Sequence, residues 1–201
     1  MPEPSHPEAT TPTPREIEAL ARRIDRPVVL VGMMGVGKTS VGKRLAAILR
    51  FAFVDADEAI EEAAQMTIAE IFQSYGEDYF RGGERRVIAR LLDERQRGTG
   101  KGTGSVIATG GGAFVDPATR ALILERGIAV WLDSDVDTLL DRVGRKSHRP
   151  LLQTADPRAT IAALKAAREP FYREAQIHIA SRSGPHQRTV SAVIRKLEQW
   201  Q

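Results

Sequence analysis

Residues 32–40 read GMMGVGKTS, and Gly32, Gly37, Lys38 and Thr39 satisfy the pattern G-x-x-x-x-G-K-[ST], with a further glycine at Gly35. The glycines let the backbone curl round a phosphate, so that successive N–H groups face the anion. Lys38 adds a movable positive charge for the β- and γ-phosphates, and the Thr39 hydroxyl can reach a magnesium ion. The candidate nucleotide contacts are therefore Gly35, Val36, Gly37, Lys38, Thr39 and Ser40, and the ligand is ATP or GTP. Regulatory GTPases read guanine with an asparagine, and protein kinases carry one in their catalytic loop. This chain contains no asparagine. ATP with Mg²⁺ is the expected pair.

A second feature is the run FAFVDADE, where Asp55 and Asp57 follow an apolar stretch. If the strand continued, residues two apart would share a side, roughly 7 Å from one another. Two like charges so placed need a counter-charge or a ligand. Magnesium takes carboxylate and water oxygens, and its usual second anchor beside such a loop is an acid ending an apolar strand. Asp55 qualifies, and so does Asp133 after IAVWL. The run ending at Thr109 offers no acid but three glycines, Gly110, Gly111 and Gly112. These could make room for a ligand against the backbone or simply form a tight turn.

The elements that must position these groups can be read from periodicity. PVVLV (27–31), FAFV (51–54), SVIAT (105–109), IAVWL (128–132) and QIHIA (176–180) are apolar runs without strict polar alternation, as buried parallel strands should be. Helical spacing covers Lys38–Arg50, Asp57–Gln65, Thr67–Gln73, Glu77–Gln96, Pro117–Arg126, Val136–Val143, Pro157–Glu169 and Gln187–Trp200. Gly127 marks a helix stop. The alternation predicts an α/β fold, a five-stranded parallel sheet flanked by helices on both faces. The proline-rich residues 1–15 are expected to be a disordered tail, with one domain over 16–201. RGTGKGTGS (97–105) is a glycine-rich loop with no assigned role.

Composition bounds the remaining classes. The chain of 201 residues has no cysteine, which excludes disulfide and thiolate chemistry. Its 29 basic and 26 acidic residues leave a net charge of +3. Basic residues gather at 81–101, 142–149 and 182–196, which suits a nucleic-acid surface, an anion pocket or solvated helix faces. Aromatic content is only 5%, without an RNA-stacking motif. No window approaches a membrane span, and the N-terminus lacks a signal-peptide pattern. The expectation is a cytoplasmic monomer without nucleic-acid or membrane partners.

Taken in order, GMMGVGKTSVGKRLA, FVDADEAIE, IAEIF…GEDYFRGGE, TGGGA, RPLL and REPFY resemble the shikimate kinase family, over about residues 27–200. The resemblance implies a nucleoside-monophosphate-kinase-like P-loop fold with a mobile lid, here about 142–155. It also implies ATP-dependent phosphorylation of the 3-hydroxyl of shikimate on the route to chorismate. A kinase for another hydroxy-acid such as gluconate, or a nucleotide-regulated RNA-binding protein, are the alternatives.

The same resemblance assigns roles. Asp55 goes with Mg²⁺ alongside Thr39. Asp57 binds the substrate hydroxyls and is the candidate general base, the rival reading being a helix N-cap. Arg81 and Arg168 hold the carboxylate, as planar guanidinium groups can, with Glu84 orienting Arg81 and Gly111 presenting backbone to the substrate. Arg149 reaches the transferring phosphate and Arg142 the adenine side. Asp133 becomes a cap or surface acid, and among the histidines only His148 falls near the chemistry. Two departures stand out: the long loop at 97–105, and the two glycines of FRGGE inside a helical stretch, each costing about 1 kcal/mol relative to alanine.

Overall fold

The computed structural model describes residues 13–96, 104–144, 156–181 and 184–200. Five strands, β1 (Val28–Val31), β2 (Ala52–Asp55), β3 (Ser105–Ala108), β4 (Ile128–Asp133) and β5 (Ile177–Ala180), form one parallel sheet in the order β2-β3-β1-β4-β5. Every residue of β1 and β3 is buried, so both faces of the sheet centre are covered, which is why these runs show no polar alternation. The edge strand β5 does alternate, with Ile177 and Ile179 inward and His178 and Ala180 outward.

Eight helices lie among the described residues: α1 (Pro14–Arg23), α2 (Lys38–Leu49), α3 (Ala56–Ala64), α4 (Ile68–Gln96), α5 (Pro117–Arg126), α6 (Val136–Gly144), α7 (Pro157–Tyr172) and α8 (His186–Gln199). α4 is broken at Gly76, whose φ of 80° and ψ of 179° separate the two helices expected at 67–73 and 77–96. A Cβ there would meet nothing within 4 Å, so the glycine serves its backbone conformation alone.

α1 corrects the expected tail boundary. Pro14 and Arg15 belong to a helix opened by a reciprocal cap, in which the Thr13 side chain accepts from the Glu16 N–H while the Glu16 carboxylate accepts from the Thr13 N–H. Leu20 is buried in the core, and Arg23 donates to the carbonyls of Leu197 and Glu198 at the end of α8. Gly127 ends α5 in extended rather than left-handed conformation. What makes it glycine is space: a Cβ would lie 2.9 Å from Val29. Within the glycine-rich loop, residues 97–103 lie outside the described residues. Gly104 packs under Phe51, whose ring would be 2.3 Å from an added Cβ.

Candidate active site

In a parallel sheet all carboxyl ends face one way, and the loops that leave them share a cleft. Here that cleft, about 450 Å³, is walled by Gly35, Gly37–Ser40, Asp55, Asp57 and Thr109–Gly111. Gly37 has a φ of 100° and caps α2 without a side-chain hydrogen bond, so the first N–H groups of α2 open towards the loop. Lys38 is nearly buried, and its Nζ donates to the carbonyls of Gly32 at 2.8 Å and Met33 at 3.0 Å. The loop is held from outside as well. A Cβ on Gly35 would fall 2.4 Å from Val143 of α6, and Arg142 donates to the Val36 carbonyl at 2.9 Å and to Ser181 Oγ at 3.3 Å. Arg142, expected on the adenine side, thus lines the cleft while bracing the loop.

The carboxylate pair divides between two elements. Asp55 ends β2 and is the N-cap of α3, accepting from the Asp57 N–H at 3.1 Å. The capping alternative for Asp57 is therefore overturned: α3 begins at Ala56, and Asp57 lies in its first turn. Asp55 also accepts from the Thr39 hydroxyl at 2.9 Å. A hydroxyl and a carboxylate this close offer hard oxygens to a cation that would draw its remaining ligands from phosphate and water. No group of three or more His, Cys, Asp or Glu side chains able to cage a metal occurs among the described residues.

The glycine triplet links the other candidates. A Cβ on Gly110 would lie 2.8 Å from Asp57 Oδ1 and 3.2 Å from Glu84 Oε1; on Gly111, 3.5 Å from Arg168 Nη1; on Gly112, 2.5 Å from Arg81 Nη2. Gly110 and Gly112 thus let Asp57, Glu84 and Arg81 close on the turn, which a mere tight turn does not explain, while at Gly111 the nearest neighbour is the Met34 backbone nitrogen at 3.3 Å and Arg168 is in ordinary contact. Arg81 donates to Glu84 at 2.6 Å and to Glu77 at 3.2–3.3 Å. Burial raises the pKa of Glu84, opposed by Arg81 and reinforced by Asp57 and Asp116. Burial also works against the Arg81 charge, but Glu84 and Glu77 outweigh it and hold that pKa high. The two directions agree once each group's neighbours are counted: Arg81 faces two carboxylates, whereas Glu84 faces one guanidinium and two further acids.

Tyr172 was missed from sequence. Its ring is buried against Trp131, and its hydroxyl donates to the Gly111 carbonyl at 2.5 Å, beside Arg168 at 3.3 Å. Burial pushes its pKa up to about 12, keeping the hydroxyl a donor. The residue lies within REPFY, so the motif held the signal.

Two further expectations change. Asp133 is neither cap nor simple surface acid, since it receives Lys165 Nζ of α7 at 2.5 Å and its carbonyl accepts from the Ser181 N–H. His186, passed over from sequence, lines the cleft against Gly37. Arg149, His148 and lid residues 145–155 lie outside the described residues.

Comparison with known proteins fits this geometry. The family model described as shikimate kinase matches residues 34–198. The chain is 64% identical over 186 residues to the shikimate kinase of Novosphingobium aromaticivorans, covering 92% of this chain and 94% of that one. It is 52% identical over 188 residues to that of Rhodopseudomonas palustris, covering 94% and 89%. Among solved structures, shikimate kinase from Acinetobacter baumannii in complex with shikimate superposes with a TM-score of 0.74 at 35% identity, covering 93% of this chain and 96% of that one. With the family model spanning most of the chain and curated relatives more than half identical over nine-tenths of it, the chain belongs to the shikimate kinase family.

Proposed function

We propose that this chain transfers the γ-phosphoryl group of ATP to the 3-hydroxyl of shikimate, as its family membership implies, through the residues gathered at the cleft. The observation that carries the substrate half is the glycine triplet, with Asp57, Arg81 and Arg168 each packed on one of its members. A polyhydroxylated ring carrying one carboxylate matches that set: two guanidinium groups for the anion, one carboxylate for the hydroxyls. Gluconate kinases and nucleotide-regulated RNA-binding proteins are not favoured by the relatives.

The roles follow from position. The backbone of Gly35–Ser40 cradles the phosphates, and Lys38 Nζ, now on two carbonyls, exchanges them for β- and γ-phosphate oxygens. Thr39 and Asp55 would hold Mg²⁺, which when bound neutralises charge between those phosphates. Asp57 accepts the proton of the attacking hydroxyl, and Glu84 keeps the Arg81 fork facing the substrate carboxylate. The Gly111 carbonyl is held by Tyr172, so the turn presents a fixed backbone. Arg142 lines the nucleotide side, and the family resemblance, rather than position, adds Arg149 and a lid over residues 142–155 that would exclude water and so prevent hydrolysis of the activated phosphoryl group. The protein acts as a cytoplasmic monomer in this reading. No described helix is long and apolar enough to cross a membrane.

The test is ADP release from ATP and Mg²⁺ with shikimate or gluconate as acceptor. Release that depends on shikimate, with one equivalent of shikimate 3-phosphate per ADP, is expected. Equal rates with gluconate, or ADP release without acceptor, would overturn the assignment.

A further inference from the structure

His186 is the first residue of α8, a helix whose N-cap, Pro185, supplies no side-chain hydrogen bond. It packs where the N-terminus of α8 meets that of α2. The position of a Cβ on Gly37 is 2.9 Å from His186 Cε1, 3.3 Å from Nδ1 and 3.9 Å from Arg142 Nη1. The Nδ1–Cε1 edge of the ring is therefore pressed on the glycine that opens α2. Nδ1 is buried and has no hydrogen-bond partner among the described residues. Buried ring nitrogens are rarely left so. The nitrogen is covered by Gly37, while His186 as a residue lines the cleft together with Lys38, Thr39 and Ser40.

The charges that act on it are the cationic Arg142 of α6 and Arg44 of α2, while Lys38, Asp55 and Asp57 line the same cleft. Burial first, then Arg142 and Arg44, push the imidazole below its ordinary pKa, so the ring is neutral near pH 7. Phosphate oxygens brought into the same cleft would reverse that balance, because an anion favours the protonated ring, in which both nitrogens donate.

We propose that His186 is a nucleotide-binding residue that takes up a proton when the phosphates of ATP or ADP enter, its ring turning off Gly37 so that a ring N–H donates to a phosphate oxygen. The inference rests on the reading of the P-loop as the nucleotide site and adds a proton to its binding equilibrium. The sign follows from linkage. The bound pKa exceeds the free one, so affinity rises as pH falls through the interval between them and levels off below the free value.

Calorimetric titration of the full chain with ADP and Mg²⁺, in phosphate and in Tris at pH 7, reads the proton count from the difference in enthalpy. Wild type is expected to take up more protons than His186→Asn. The amide places a polar atom near the Nδ1 position but does not titrate. ADP affinity should fall about three- to tenfold in the variant, with the KM for shikimate unchanged. An identical proton count in both proteins, or unchanged affinity, overturns the proposal while leaving the nucleotide site standing. A wild type that binds no ADP overturns the nucleotide site itself, and this proposal with it. If His186→Asn fails to fold, imidazole NMR titration of wild type decides: an upward move of the His186 pKa on adding ADP supports the proposal, and no move overturns it.

Discussion

Replacing Glu84 by glutamine isolates what a buried carboxylate does for Arg81. Glu84 is 1% exposed, and its bond to Arg81 is 2.6 Å. Glutamine keeps one acceptor oxygen but removes the charge. A hydrogen bond to a charged group contributes about 1.5–3 kcal/mol, and charge-assisted bonds are roughly twice as strong as neutral ones, so about 1 kcal/mol of Arg81 positioning is lost. Arg81 is 22% exposed and retains Glu77, which argues for the lower part of that range. One kcal/mol is about a fivefold change in an equilibrium constant. Glu84→Gln should therefore raise the KM for shikimate about fivefold and leave the KM for ATP within error.

Stability should respond differently. Because the folded-state pKa of Glu84 is raised above its unfolded value, the folded protein binds the proton more readily. Stability due to this group is greatest below the unfolded pKa of about 4.3 and falls as pH rises through the folded value. Above that window the ionised Glu84 is a net cost, which glutamine relieves. Urea unfolding from pH 4 to 8 should show this downward component in wild type and its absence in the variant, with stabilities near pH 7 within about 1 kcal/mol. An unchanged KM for shikimate, or the same pH dependence in both proteins, would refute the role given to the Arg81–Glu84 pair.

Lys38→Met should remove most transferase activity while the thermal transition stays within a few degrees. Turnover within threefold of wild type would contradict the phosphate role of Lys38. Asp57→Asn should depress kcat with little effect on ATP affinity, whereas Asp55→Asn should shift the Mg²⁺ dependence at little cost in stability, because asparagine caps a helix about as well as aspartate. Equal Mg²⁺ shifts in both variants would undo the division of labour between them. Gly112→Ala puts a methyl group 2.5 Å from the Arg81 guanidinium, a flexible group that can swing aside. Shikimate affinity should drop severalfold with a minor change in melting temperature, and a large melting change at unchanged affinity would show that the contact is structural.

The P-loop could be read from sequence because its chemistry is local: glycines, lysine and threonine act within nine residues, and the flanking strand and helix carry their own periodicity. The parallel sheet was equally legible, since strands buried on both faces must be apolar throughout. The helix α1 also had a signal, the T-P-R-E capping pattern at Thr13–Glu16, hidden by its proline-rich approach. The strand order was beyond reach, because which strand pairs with which is settled by packing between distant segments. So was the split of the two aspartates between a strand end and a helix turn, which the motif resemblance assigned by function and only the start of α3 at Ala56 explained. Tertiary structure alone brought Tyr172 to the Gly111 carbonyl, set one glycine of the triplet against each of Asp57, Arg168 and Arg81, and laid His186 on Gly37. Contacts of that kind depend on where the chain returns in space, and neither residue type nor spacing records that return.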